Sequence, residues 1–308
     1  MKIIVTGGAG FIGSHVVDGY VKAGHKVVVI DNLATGSLKN LNTKAKFYKS
    51  DIKKLDLIDK IFRKERPEVV NHHAAIAEVI ESVKNPVPTF QTNVSGTVNI
   101  LLAFGKYGCG RNRKFLFSSS GGAIYGEPQK IPVSETAPAA PLSPYGLSKL
   151  LGEEIIKFYA RTYGFKYLIL RYSNIYGPRQ NPGGEAGVVA IFGGLIKDGH
   201  RPTIFGDGTK ARDYVYVGDI VRANVAGLRM GENEILNLGW GRMITDQQIF
   251  NAISKNLEFK KKPIYAPFRK GEVYRIAINA GRAKKILGWK PKISLKEGVK
   301  RTIVSLCS

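Results

Sequence analysis

A chain of 308 residues, 44% hydrophobic and with 35 glycines, can build one large or two modest globular domains and does not read as disordered. A net charge of +23 invites a nucleic-acid reading, but the 47 basic residues are scattered in short groups such as Lys53-Lys54, Lys260-Lys261-Lys262 and Lys284-Lys285, with no basic arm and no zinc-finger, RNP or basic-zipper pattern. No apolar run approaches the ~20 residues that cross a bilayer, MKIIVTGGAG breaks at glycines too early for a secretory leader, and Cys109 and Cys307 have neither metal nor redox spacing, so a cytoplasmic chain is expected.

The first half alternates short β-branched runs with helical patterns, the signature of βαβ units on a parallel sheet. A strand is predicted at Lys2–Thr6, and Gly7-Gly-Ala-Gly10-Phe-Ile-Gly13 then opens a helix over 11–23. Glycines there permit a tight turn and let backbone approach a pyrophosphate, while the helix N-terminus offers free amides and partial positive charge. The second strand, Lys26–Asp31, ends on a carboxylate that can accept bonds from both ribose hydroxyls and would repel a 2′-phosphate. NAD is therefore expected as cofactor in preference to NADP.

Further strands are predicted at 45–48, 68–71, 114–118 and 166–171, with helices over 55–64, 87–107 and Pro144–Tyr163. The last helix starts on Ser143 as N-cap with Pro144 at its first position, and Leu150, Leu151, Ile155 and Phe158 form an apolar stripe. It also carries Tyr145 and Lys149 at i and i+4, one turn apart on the same face. A free tyrosine ionises near pH ~10, and a fixed ammonium beside it would stabilise the phenolate and make it a usable base.

After about Tyr172 the pattern loosens into Gly- and Pro-rich loops at 177–187, 206–210 and 263–271, separated by short helices. The expected fold is α/β, a Rossmann-type doubly wound parallel sheet with a second, smaller mixed α/β domain over its carboxyl edge. Residues 1–173 would bind NAD, with 213–238 returning to that domain through strand-like 213–217 and 235–238. Residues 174–212 and 239–308 would form the substrate domain.

GGAGFIG, Asp31, Asp51-Ile52, Asn93, Ser118-Ser-Ser120, Tyr145-x-x-x-Lys149 and Arg171-Tyr-Ser-Asn174-Ile-Tyr-Gly-Pro-Arg179 occur in this order. Over essentially its whole length the chain resembles the extended short-chain dehydrogenase/reductase family, and within it the nucleotide-sugar 4-epimerases. The resemblance implies NAD-dependent inversion at C4 of a UDP-hexose through a 4-keto sugar, in a homodimer acting on neither nucleic acid nor membrane.

It also implies roles. Ser120, Tyr145 and Lys149 would be catalytic, with Ser120 relaying the sugar O4 proton to Tyr145. Gly7, Gly10, Phe11, Ile12 and Gly13 would cradle the cofactor, Asp31 and Asn32 its ribose, and Asp51 and Ile52 its adenine. His73, Ala74, Ala75, Asn93, Ser118 and Tyr172 would border the rest of it, together with Tyr145 and Lys149. Asn174, Val188, Arg212, Arg269 and Glu272 would hold the UDP-sugar, beside Ser120 and Tyr145; arginine's planar fork suits a diphosphate.

Three departures stand out: His72-His73 replaces a single histidine and an apolar residue, Glu272 is longer than the usual aspartate, and three serines blur which hydroxyl is catalytic. Relatives that eliminate water carry acidic residues right after the catalytic hydroxyl, whereas here Gly121-Gly-Ala-Ile-Tyr125 has no ionisable side chain before Tyr125. This favours an epimerase. Ile276, expected to face the hexose, leaves a UDP-N-acetylhexosamine or UDP-glucuronate as alternative substrate, and a non-catalytic sugar-nucleotide-binding protein as the alternative of another class.

Overall fold

The computed structural model describes residues 1–183, 187–269 and 272–307. Six strands of its central sheet come early: β1 (Lys2–Thr6), β2 (Lys26–Asp31), β3 (Lys46–Lys49), β4 (Val69–His72), β5 (Lys114–Ser120) and β6 (Lys166–Tyr172). Four short strands follow, β7 (Asn174–Tyr176), β8 (Thr203–Phe205), β9 (Ala211–Arg212) and β10 (Tyr214–Tyr216), before β11 (Glu234–Leu238), β12 (Ile244–Thr245) and β13 (Ile264–Ala266). The sheet runs β11-β6-β5-β4-β1-β2-β3, every pair parallel. This is the doubly wound order, with its reversal between β1 and β4.

Helices α1 (Phe11–Lys22), α2 (Leu55–Glu65), α3 (Val79–Lys84), α4 (Pro86–Phe90), α5 (Gly96–Tyr107) and α6 (Pro144–Tyr163) complete this half. Ile3 and Val5 of β1 and Val27 and Val29 of β2 join one core, whereas Ile4, Val28 and Ile30 join another on the opposite face. Both sides of the strands are apolar because helices cover both faces.

Three expectations need correction. The helix predicted over 87–107 is α4, a π-helical segment at Gln91–Ser95, and α5; Pro86 starts the run and the widened turn aims Asn93 inward. Of the stretch predicted to return to the sheet, 213–217 instead pairs with β7 through β10, while β11 does join beside β6. The apolar stripe on α6 is only partly inward: Ile155 packs against the core and Leu150 is half-buried, but Leu151 is 37% and Phe158 54% exposed. The inner face is Gly146, Ser148, Lys149, Gly152, Glu153, Ile156 and Ala160. Small residues let the helix lie close to β5: a Cβ on Gly152 would meet the Phe117 ring at 2.8 Å.

The remaining helices are α7 (Val188–Lys197), α8 (Val217–Gly227), α9 (Asp246–Asn256), α10 (Gly281–Leu287) and α11 (Leu295–Cys307). α8 lies against α1, where a Cβ on Gly19 would meet Val221 at 2.4 Å. Buried Asp213 ties the later loops down, accepting backbone N–H bonds from Trp240, Gly241 and Ile278. Among the described residues no helix is long and apolar enough to cross a membrane, and no cluster of potential ligands could hold a metal ion.

Candidate active site

A cavity of about 860 Å³ opens at the carboxyl ends of the strands, where the strand order reverses. Its floor is the glycine turn. Gly7 has φ +68° and a Cβ there would lie 2.6 Å from the Ala74 nitrogen, while a Cβ on Gly13 would sit 2.1 Å from the Gly7 carbonyl oxygen. Only glycine fits at either position. The turn thus brings the N-terminus of α1 against β4 and leaves Gly10, Phe11, Ile12 and Gly13 lining the cavity.

Asp31 closes one end. Its carboxylate accepts from Ala9 N at 3.0 Å and Leu33 N at 2.8 Å, and the remaining lone pairs are free for a ribose diol. Asn32 donates to Asp51, and Lys53 pairs with that same carboxylate. Asn32, Asp51, Ile52, His73, Ala74 and Ala75 all line the cavity. A dinucleotide fits this cradle of missing side chains, helix N-terminus and half-free carboxylate.

His72 is structural, its ring nitrogens bonded to Thr6 at 2.6 Å and Thr97 at 2.9 Å. His73 stacks on Tyr172 with centroids 6.2 Å apart. Burial, reinforced by Lys149, lowers both histidines to about 3, so they are neutral. Among the described residues the His73 Nε2 has no hydrogen-bond partner.

At the other end the three serines separate. Ser118 donates to the His72 carbonyl and Ser119 to Glu153, while Ser120 lies beside the Tyr145 phenol. Ser118 and Ser119 therefore have their hydroxyls engaged elsewhere. Ser143 caps α6 by accepting from Gly146 N, and Ser82 on α3 accepts from Tyr145 N at 3.2 Å.

Lys149 lies over the Tyr145 ring. Its Nζ lies 6.0 Å from the Tyr145 centroid, over the Phe117 ring, and donates to the Ser118 carbonyl at 2.9 Å. Burial pushes Tyr145 above its ordinary value, with the Ser120 bond opposing; burial lowers Lys149 to about 8, with Glu153 opposing.

The other predicted residues divide. Ser118, Tyr172, Asn174, Arg212 and Glu272 line the cavity; Asn93, Val188 and Arg269 do not. Asn93 is buried behind the wall, bonded to both backbone groups of Ile76 and to Ser148. Val188 packs against the main core at the start of α7. Arg269 lies 4.0 Å from the Phe205 centroid and pairs with Glu272, whose other oxygen binds Lys210. Lys270 and Gly271 of that motif fall outside the described residues. Ile276, expected to face the hexose, does not line the cavity and is buried with Tyr125, Val133, Val273 and Ile278.

Sequence reasoning missed Glu78, Glu81 and Val273 on the cavity wall. It also missed Glu153, whose signal was available: an acid eight residues after Tyr145 falls on the same helix face.

Fold and site together define a dinucleotide-dependent enzyme of the doubly wound class. The chain belongs to the NAD dependent epimerase/dehydratase family, whose model matches residues 3–239. It is similar to the UDP-glucose 4-epimerase of Thermotoga maritima solved with UDP-glucose, at 48% identity and TM-score 0.97, covering 100% of this chain and 99% of that one. The Thermus thermophilus UDP-glucose 4-epimerase in complex with NAD shares 40% identity at TM-score 0.94, again covering 100% and 99%. A UDP-N-acetylglucosamine 4-epimerase from Methanobrevibacter ruminantium shares 32% at TM-score 0.91, covering 99% and 98%.

Proposed function

We propose that this chain inverts C4 of a UDP-hexose, interconverting UDP-glucose and UDP-galactose, with NAD retained on the protein. The observation that carries this reading is the placement of Ser120, Tyr145 and Lys149 in one cavity with the glycine turn and Asp31. Bound NAD supplies the hydride acceptor and, on return, the donor. Tyr145 takes the O4 proton through Ser120 and, once the hexose has turned, gives it back to O4, the inversion arising because hydride would return to the opposite face of C4. Lys149 supplies the fixed positive charge that favours the phenolate. Arg212 and Asn174 hold the diphosphate while the hexose turns, with Arg269 and Glu272 closing on the nucleotide. Asn93 acts at one remove, by fixing Ile76.

The division of labour we propose gives residues 1–173 and 213–238 to NAD, and 174–212 and 239–308 to the nucleotide sugar. The enzyme works as a homodimer in the cytoplasm, consistent with the exposed apolar face of α6 and two free thiols.

Purified protein given UDP-galactose and no added NAD should form UDP-glucose, and Tyr145→Phe should lose roughly 10²- to 10⁴-fold in turnover while still binding UDP-sugar. Near-normal turnover in that variant would overturn the acid/base assignment.

A further inference from the structure

Tyr145, Lys149 and Glu153 follow one another at i, i+4 and i+8 on the inner face of α6. The third is not on the cavity wall. Glu153 is 0% exposed, and Arg171 of β6 grips it with two bonds, Nε to Oε1 at 2.9 Å and Nη2 to Oε2 at 2.6 Å. Ser119 of β5, the residue before the catalytic serine, donates to the same Oε1 at 2.6 Å. Arg171 continues to the Tyr125 hydroxyl at 2.7 Å, and that hydroxyl to Asn237 of β11 at 2.8 Å. One buried network thus joins the catalytic helix to three strands and to the loop after Ser120.

Stability alone is a poor reason for such a network. The desolvation of a buried ion pair commonly cancels its attraction, and apolar residues of similar volume often serve as well. What the pair offers instead is direction. An apolar contact would let α6 slide or rotate on β5, whereas a two-pronged guanidinium–carboxylate bond has one geometry. Register matters here because Tyr145 and Ser120 sit on different elements and must meet.

We propose that Glu153, clasped by Arg171 and Ser119, is a positioning residue that sets the height and rotation of α6 on β5, and so brings Tyr145 and Lys149 into register with Ser120. It touches neither sugar nor cofactor. The groups facing Lys149 are Tyr145 and Glu153 on its own helix, neutral His72 at the end of β4 and neutral His73 just after it, and Phe117 and the Ser118 carbonyl from β5, with Arg171 behind Glu153. Glu153 is the only carboxylate among them, so its loss also removes the anion that supports the ammonium.

The inference rests on the acid/base reading of Tyr145, so Tyr145→Phe is run alongside. Glu153→Gln keeps the shape and drops the charge. Its kcat should fall roughly 10- to 100-fold, as expected for misplacement of the order of an ångström, with KM for UDP-sugar and bound NAD unchanged and the basic limb of the kcat profile moved to lower pH. Ser119→Ala removes a single hydroxyl and should fold normally; its kcat should fall roughly 3- to 10-fold, about the worth of one hydrogen bond, again at constant KM. If Glu153→Gln does not fold, Ser119→Ala decides alone. Wild-type kcat and pH profile in the folded variants would overturn the proposal, as would a loss seen only in KM or NAD content. An active Tyr145→Phe would instead overturn the reading beneath it.

Discussion

Lys149 sets function against stability at the level of one side chain. Burial lowers it to about 8 from an ordinary 10.5, so the unfolded chain holds its proton more tightly than the folded one. Below pH 8 the charged lysine therefore destabilises the fold, and this loss is relieved as pH rises from about 8 towards 10.5. Lys149→Met should raise Tm by a few degrees at pH 7 while abolishing turnover, and the difference in Tm should narrow towards pH 10; an unchanged or lower Tm at pH 7 would refute the sign. Asp31 poses a simpler question. With its carboxylate already anchored by Ala9 and Leu33, Asp31→Ser should weaken NAD retention and narrow the preference over NADP, measurable by cofactor titration of the stripped protein. The spacing of Tyr145 and Lys149 was plain in the sequence, and so was the position of Asp31. The partners were not: Glu153 and the His72 carbonyl engage the hydroxyls of Ser119 and Ser118.

Elements whose signal is local came through almost unchanged. β1, β2 and α6 have the boundaries expected from apolar runs, capping serine and N1 proline. Local signals mislead where neighbours decide. The leucines and phenylalanine of α6 look like a core stripe, yet the close approach to Phe117 requires Gly152, and the inner face is built from small and charged residues. Gly152→Val should clash with that ring and destabilise by about 1 to 3 kcal/mol, seen as a lower midpoint in denaturant; an unshifted midpoint would contradict this packing. The π-helical segment at Gln91–Ser95 was equally invisible, because an extra residue in a turn leaves the hydrophobic period nearly intact.

For the whole molecule, the unexplained apolar surface on α6 is the feature that calls for a partner. Leu147, Leu151 and Phe158 are exposed on this helix, and Val83 and Val87 on the neighbouring α3 and α4. Contiguous apolar surface of this kind marks association sites on soluble proteins. Replacing Leu147, Leu151 and Phe158 together by polar residues should convert a dimer to a monomer in sedimentation velocity; a wild-type protein already monomeric at micromolar concentration would exclude the homodimer. The glycine turn, Asp31 at the end of β2 and the helix bearing Tyr145 and Lys149 were determined by the sequence itself, since each rests on residues within a few turns of one another, and the alternation of strand and helix patterns implied the parallel sheet. Only the tertiary structure decided that Arg269 and Asn93 stand off the cavity, that 213–217 pairs with β7, that Ile276 is core, and that Glu153 on the inner face of α6 is clasped by Arg171 and Ser119. Those outcomes depend on contacts between residues far apart in the chain, which no local period or spacing records.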